Sequence, residues 1–283
     1  MRRQDRSQTW RRASRLLVLG MVGFVLLGLP GAYASAAVAP HLTLSSSHGK
    51  GHGGSGGGGS GCTGGTTTTT SSTNWAGYAA ETCLSSPAKG AVTFVQGTWT
   101  QPSVTCGSTN TYSAFWVGID GYSDGTVEQT GTEADCSGGV ATYSAWYEMY
   151  PKAPVTLQIT ISPGDSITAS VAYASGSFTL TLKDTTTGQQ FTTTILDRHA
   201  DRTSAEWIAE APYSGGVLPL ADFGVVDFTG CTATLEGVNG PISDSSWQNA
   251  QINMVDSSGN LKASTSSLAS GGESFSVTWE AST

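Results

Sequence analysis

From Ala91 to Trp279 the sequence is a succession of short runs rich in Thr, Val and aromatic residues, alternating in polarity and broken by turn formers. "AVTFVQGTWTQP", "TYSAFWVGID", "TYSAWYEMYP", "PVTLQITISPGD", "SAEWIAEAP" and "SFSVTWEAS" are representative, and "SPGD", "TTTGQ" and "SSGN" punctuate them. β-branched and aromatic side chains suit a pleated, half-buried surface, and Gly, Pro, Asp and Asn supply the turns between such strands. No segment carries an apolar stripe of 3.6-residue period and helical length. Strands in this number bury their apolar faces by packing sheet on sheet, so the expected fold class is all-β, an antiparallel β-sandwich. The roughly 210 residues from Thr73 onward suffice for a single domain, residues 73–283.

The residues before Thr73 are of another kind. Arginines from Arg2 to Arg15 precede the uncharged, mostly apolar run Leu16–Leu29 and then the small-residue stretch "PGAYASAAVAP". That order reads as a secretory signal peptide, residues 1–36, cleaved near Ala34 or Ala36. A membrane anchor is the other reading, but the run falls short of the ~20 residues a span needs, and Pro30 ends it. "TWRRASRLL" has a loose twin-arginine character. Residues 37–72, dominated by Gly, Ser and Thr, have almost nothing to bury and are expected to be a linker or short propeptide. They hold three of the four histidines, and the irregular spacing favours a solvated linker over a metal-binding tract.

Loss of the signal removes six of 13 basic and one of 21 acidic residues, leaving a charge of −13. So acidic a chain is a poor nucleic-acid binder. The mature form is expected to be extracellular, monomeric and without a membrane segment. An exported chain admits disulfides. Cys106 and Cys136 flank the "FWVGID…VEQTG" segment and are the favoured pair. Cys62, Cys83 and Cys231 leave one odd thiol, with Cys231, in an apolar run, readable as buried and free.

Alternation assigns faces. Ser144, Trp146, Glu148 and Tyr150 point one way from their run, Trp116 and Asp120 share a face of theirs, and Glu206, Ile208 and Glu210 share a third. Each run thus sets an acid on one face, which suits an extended polymer in a groove and equally suits a solvated outer face. Elimination narrows the chemistry. His199, the one histidine outside the linker, sits in the charged loop "LDRHADRTS", so Ser-His or Cys-His catalysis is disfavoured. No Gly-x-Ser-x-Gly elbow, zinc spacing or phosphate-binding glycine loop is present, so no metal or organic cofactor is expected. Hydrolysis would fall to carboxylates, amides and water. Two carboxylates suit a glycosidase or an aspartic-type dyad. One carboxylate with an amide is the third arrangement, because an amide donates to an oxyanion while staying neutral at any pH. Gln129, in "VEQTGTEADC", is the candidate amide if it faces an acid across the groove.

"NWAGY", "GTWTQPSV", "FWVGIDG", "VEQTGTEAD", "YSAWYEMYP", "SPGDSI", "SAEWIAEAP" and "ADFGVVDFT", in this order, resemble the glutamic peptidase family, the eqolisins, especially its bacterial members. The resemblance runs from about Asn74 to the C-terminus. It implies a double seven-stranded antiparallel sandwich and pepstatin-insensitive acid endopeptidase activity on protein or peptide substrates. It assigns the catalytic dyad to Gln129 and Glu210, and substrate-cleft positions to Trp116, Asp120, Glu133 and Glu148; Trp146 is added from its shared face. Ser144 stands where fungal members carry an acid, so hydrogen bonding around Glu148 is expected to differ. Between the expected signal peptide and Asn74 there is no long basic propeptide, Lys50 being the one Lys or Arg there. A non-catalytic carbohydrate-binding sandwich, its Trp and Tyr stacking on sugars, is the rival reading, and a glycosidase the third.

Overall fold

The computed structural model describes residues 62–283; the expected signal peptide and most of the expected linker lie outside the described residues. In chain order the strands are β1 (Thr67–Ser72), β2 (Trp75–Glu81), β3 (Val92–Thr100), β4 (Ala114–Ile119), β5 (Val127–Ser137), β6 (Val140–Tyr150), β7 (Val155–Thr156) and β8 (Ser166–Ala174). They continue with β9 (Ser177–Asp184), β10 (Gln190–Leu196), β11 (Ser204–Glu210), β12 (Val225–Leu235), β13 (Val238–Pro241), β14 (Gln248–Val255), β15 (Leu261–Thr265) and β16 (Phe275–Trp279). Among the described residues there is no helix, in keeping with the alternation of the sequence.

The strands form one hydrogen-bonded path, β10-β9-β8-β3-β12-β16-β15-β14-β2-β11-β4-β5-β6-β7, with β13 beside β12 and β1 beside β14. Contacts of β3 with β4 and β11, and of β8 and β9 with β5, show that the path doubles back on itself as two packed layers. The expected sandwich is therefore present, its two sheets joined through β16 and β15. Between the layers lies a core containing Trp99, Phe115, Val117, Phe178, Trp207 and Phe228. Two indoles also stitch it with hydrogen bonds: Trp207 Nε1 donates to the Gln96 carbonyl at 2.7 Å, and Trp99 Nε1 to Thr132 Oγ1 at 3.0 Å. Satisfying these N–H groups removes the penalty of burying them.

The N-terminal boundary differs from the expectation. The threonine run placed in the linker forms β1, parallel to β14 from Thr67–Asn249 to Ser72–Met254. A Cys62–Cys83 disulfide fastens the segment ahead of it. With no apolar face to bury, β1 is ordered by backbone hydrogen bonds to a strand that is already fixed, which composition does not reveal. Cys106 and Cys136 are bridged, and Cys231 is a buried free thiol.

Candidate active site

β2, β11, β4, β5 and β6 lie side by side, and their register places the residues of interest on the face turned away from the inter-sheet core. Glu210 is opposite Trp75 on β2 and Ala114 on β4. Gly118 of β4 is opposite Gln129 of β5, and Gln129 is opposite Glu148 of β6. Alternate residues share a face, so Glu210 and Gln129 stand two strands apart on one surface. They are offset along β4 by the step from Ala114 to Gly118, with Trp116 midway.

Both oxygens of Glu210 are held. Asn74 Nδ2 donates to Oε1 at 3.2 Å, and Trp116 Nε1 donates to Oε2 at 2.8 Å. An indole N–H has no acceptor capacity, so this bond favours the ionised carboxylate. Burial wins nonetheless: it pushes the pKa of Glu210 well up, the Trp116 bond opposes it, and the nearby Glu148 adds to the rise. The Trp116 ring reaches its place because the neighbouring positions are glycines. A Cβ on Gly131 would meet the Phe115 carbonyl and the Trp116 side chain, and one on Gly118 would lie 3.0 Å from the Trp116 ring. Trp75 supports the ring edge-on at 5.1 Å.

Gln129 Nε2 donates to Glu148 Oε2 at 2.7 Å, which fixes how the amide is turned. Burial raises the Glu148 pKa to about 8 against the pull of that bond. Glu133 accepts from Ser144 Oγ at 3.0 Å, so the serine at the position noted above serves Glu133 rather than Glu148. Burial, with Asp135 nearby, raises the Glu133 pKa to about 8. Trp146 lies buried in an apolar cluster with Trp75, Trp116 and Ile208 on this face.

Asp120 is placed differently from the rest. It takes a left-handed backbone conformation, φ 72°, and accepts from the Arg202 and Thr203 amides at 2.7 Å each. Its carboxyl braces the turn into β11 instead of lying beside the dyad candidates. Asn74 was not singled out by sequence reasoning, although it lies within "NWAGY"; its bond to Glu210 spans 136 residues. Ser72 Oγ in turn bonds Asn74 Oδ1 at 3.2 Å and accepts from the Trp75 amide, so the end of β1 sets the asparagine. Among the described residues no group of His, Cys, Asp and Glu side chains could hold a metal ion. The arrangement presents a braced carboxyl and an oriented amide on one surface, the parts needed to move a proton and stabilise an oxyanion.

Comparison with known proteins follows the same lines. The family model described as the Peptidase A4 family matches residues 73–279. Scytalido-glutamic peptidase, solved with a transition state analog inhibitor, is 30% identical, with TM-score 0.61, covering 75% of this chain and 100% of its own. SCP-B, a member of the eqolisin family solved with the tripeptide Ala-Ile-His, is 29% identical, with TM-score 0.57 and the same coverage. Aspergilloglutamic peptidase from Aspergillus niger is 36% identical, with TM-score 0.54, covering 60% of this chain and 99% of its own. Comparison with curated proteins gives no match.

Proposed function

Because this chain belongs to the Peptidase A4 family, the glutamic peptidases, we propose that it is a secreted acid endopeptidase whose catalytic pair is Gln129 and Glu210. The observation that carries the assignment is the bracing of Glu210 by Asn74 and Trp116 on the same face as an amide oriented by Glu148. The two disulfides suit an extracellular protein.

In this scheme ionised Glu210 takes a proton from a water molecule as the water oxygen bonds to the scissile carbonyl carbon. The carbonyl electron pair moves onto oxygen, and the Gln129 amide donates to that oxyanion. Glu210 then passes its proton to the peptide nitrogen, the C–N bond breaks, and the amine leaves. Burial favours the protonated form of Glu210, which supplies the proton for the amine, and the donors from Asn74 and Trp116 oppose it by stabilising the anion that the first step requires. Glu148 holds the Gln129 amide nitrogen on the face that also carries Glu210. No step calls on a metal or organic cofactor. Substrates are proteins or peptides, as the inhibitor and tripeptide complexes of the similar enzymes suggest. Family membership displaces the carbohydrate-binding and glycosidase readings.

The test is casein hydrolysis in acid by the purified protein with pepstatin present, beside Glu210→Gln. Wild type should digest casein undisturbed by the inhibitor, and the variant should be inert with an unchanged circular dichroism spectrum. A variant that still digests casein would remove Glu210 from the chemistry.

A further inference from the structure

The segment between β4 and β5 does not run straight from one strand to its neighbour. It crosses the cleft face over β4 and β11 to reach β2, where Ser123 Oγ donates to Glu81 Oε1 at 2.5 Å. Tyr122 is buried in the apolar cluster with Trp75 and Trp116. Gly121 packs so closely that a Cβ there would press on Val127 and Trp75. On the other flank Thr203 Oγ1 donates to Asp124 Oδ2 at 2.6 Å, beside the amide bonds to Asp120.

Beneath this crossing stand Glu81 on β2 and Glu206 on β11, with Asp120 and Asp124 in the crossing itself; Glu128 of β5, opposite Ile119, stands at the same end of the sheet on its inner face. Glu206 is fully buried, with only the Ser204 hydroxyl placed to favour its anion; Glu81 Oε2 has no hydrogen-bond partner among the described residues, and Glu128 faces the Asp120 carboxyl. A carboxyl in such surroundings is stable only when neutral. The nearby cations are committed elsewhere. Lys89 pairs with Asp201 at 2.8 Å, and the Arg202 guanidinium bonds the Val92 carbonyl and lies 3.8 Å over the Tyr173 ring. Asp197 adds a further negative charge toward Glu128.

We propose that Asp120–Thr126 is a pH-released strap, held across one end of the cleft while the surrounding carboxyls are neutral and let go as they ionise. Burial raises Glu81 and Asp120 to about 8 and Glu128 to about 10, and drives Glu206 well up, with charge from Asp120, Asp124 and Glu81 adding to it. The sign follows from linkage: proton-holding groups with raised values stabilise the closed strap in acid, and that contribution is lost as pH rises from ordinary carboxylate values through about 8. The strap ends at Thr126, three residues before Gln129, so its release loosens the strand that carries the amide. This device does not depend on the peptidase reading.

Hydrogen exchange on the full chain, from mild acid to neutral pH, tests it. After correction for intrinsic exchange, strap amides should lose protection ~10-fold per pH unit for each carboxyl that ionises on opening, while β9 amides stay protected. In Glu81→Gln/Glu206→Gln, where Asp120 and Glu128 remain, strap protection should fall less steeply with pH than in the wild type. Protection that does not change with pH in the wild type would overturn the proposal, and so would simultaneous loss in strap and β9. Should the variant fail to fold, the wild-type contrast between strap and β9 still decides. Restored strap protection on adding calcium at neutral pH would also overturn it, because the cluster would then be a cation site.

Discussion

Gln129 cannot titrate, and that suits it to a surface whose other polar groups are carboxyls. Replacing it with Ala should lower kcat by ~10² to 10³, the usual cost of one oxyanion donor, with little change in KM; unaltered kcat would make the amide a bystander. Asn74 belongs to the same scale. Its bond to Glu210 favours the carboxylate, so Asn74→Ala should lower kcat by ~10-fold to ~100-fold, as expected for a hydrogen bond to a charged group worth ~1.5–3 kcal/mol. It should also move the acidic limb of the pH–rate profile upward, because the anion loses a donor. A fall in kcat with an unmoved limb would mean that Asn74 only supports the fold. Gln129 and Glu210 were legible as candidates through elimination and resemblance. Asn74 was not, because its partner lies across the sheet and no local pattern reports a contact between β2 and β11.

Strand faces were legible where polarity alternates. Trp116, Glu148 and Glu210 stand on the face that alternation gave them, since a pleated strand sends alternate side chains to opposite sides. Asp120 broke the pattern because the strand ends at Ile119 and a left-handed residue turns the chain. β1 escaped notice for another reason: "TTTTSS" has no alternation, and its order comes from β14, a neighbour that no periodicity names. A chain beginning at Thr73 therefore loses more than a spacer. It lacks β1, Ser72 beside Asn74, and the Cys62–Cys83 bridge, a closure of 21 residues worth ~3 kcal/mol. Its melting temperature and acid activity should both fall below those of a chain that starts before Cys62. Equal values for the two would mean that β1 does not set Asn74.

At the scale of the whole molecule, the charge of −13 expected without the signal would by itself favour acid, where carboxylates are neutral and do not repel one another. The structure moves the weight to buried groups: Glu81, Asp120, Glu133 and Glu148 are each raised to about 8, with burial the leading cause. Raised values stabilise the folded state below ordinary carboxylate pKa values, and the contribution is lost on the way up through about 8. Thermal melts should therefore be highest in mild acid and fall toward neutrality. High salt should restore little of the loss, because screening acts on exposed charges and hardly on buried ones; full recovery in salt would return the effect to the surface. The pairing of β1 with β14 has a further consequence, in time. β1 is made first among the strands, yet its sheet partner ends at Val255. Contacts between distant parts of a chain form late, after the longest loops have closed. Asn74 cannot be set against Glu210 by a finished β1 until synthesis has passed Val255, so the order of synthesis itself keeps the cleft incomplete until β14 has been made.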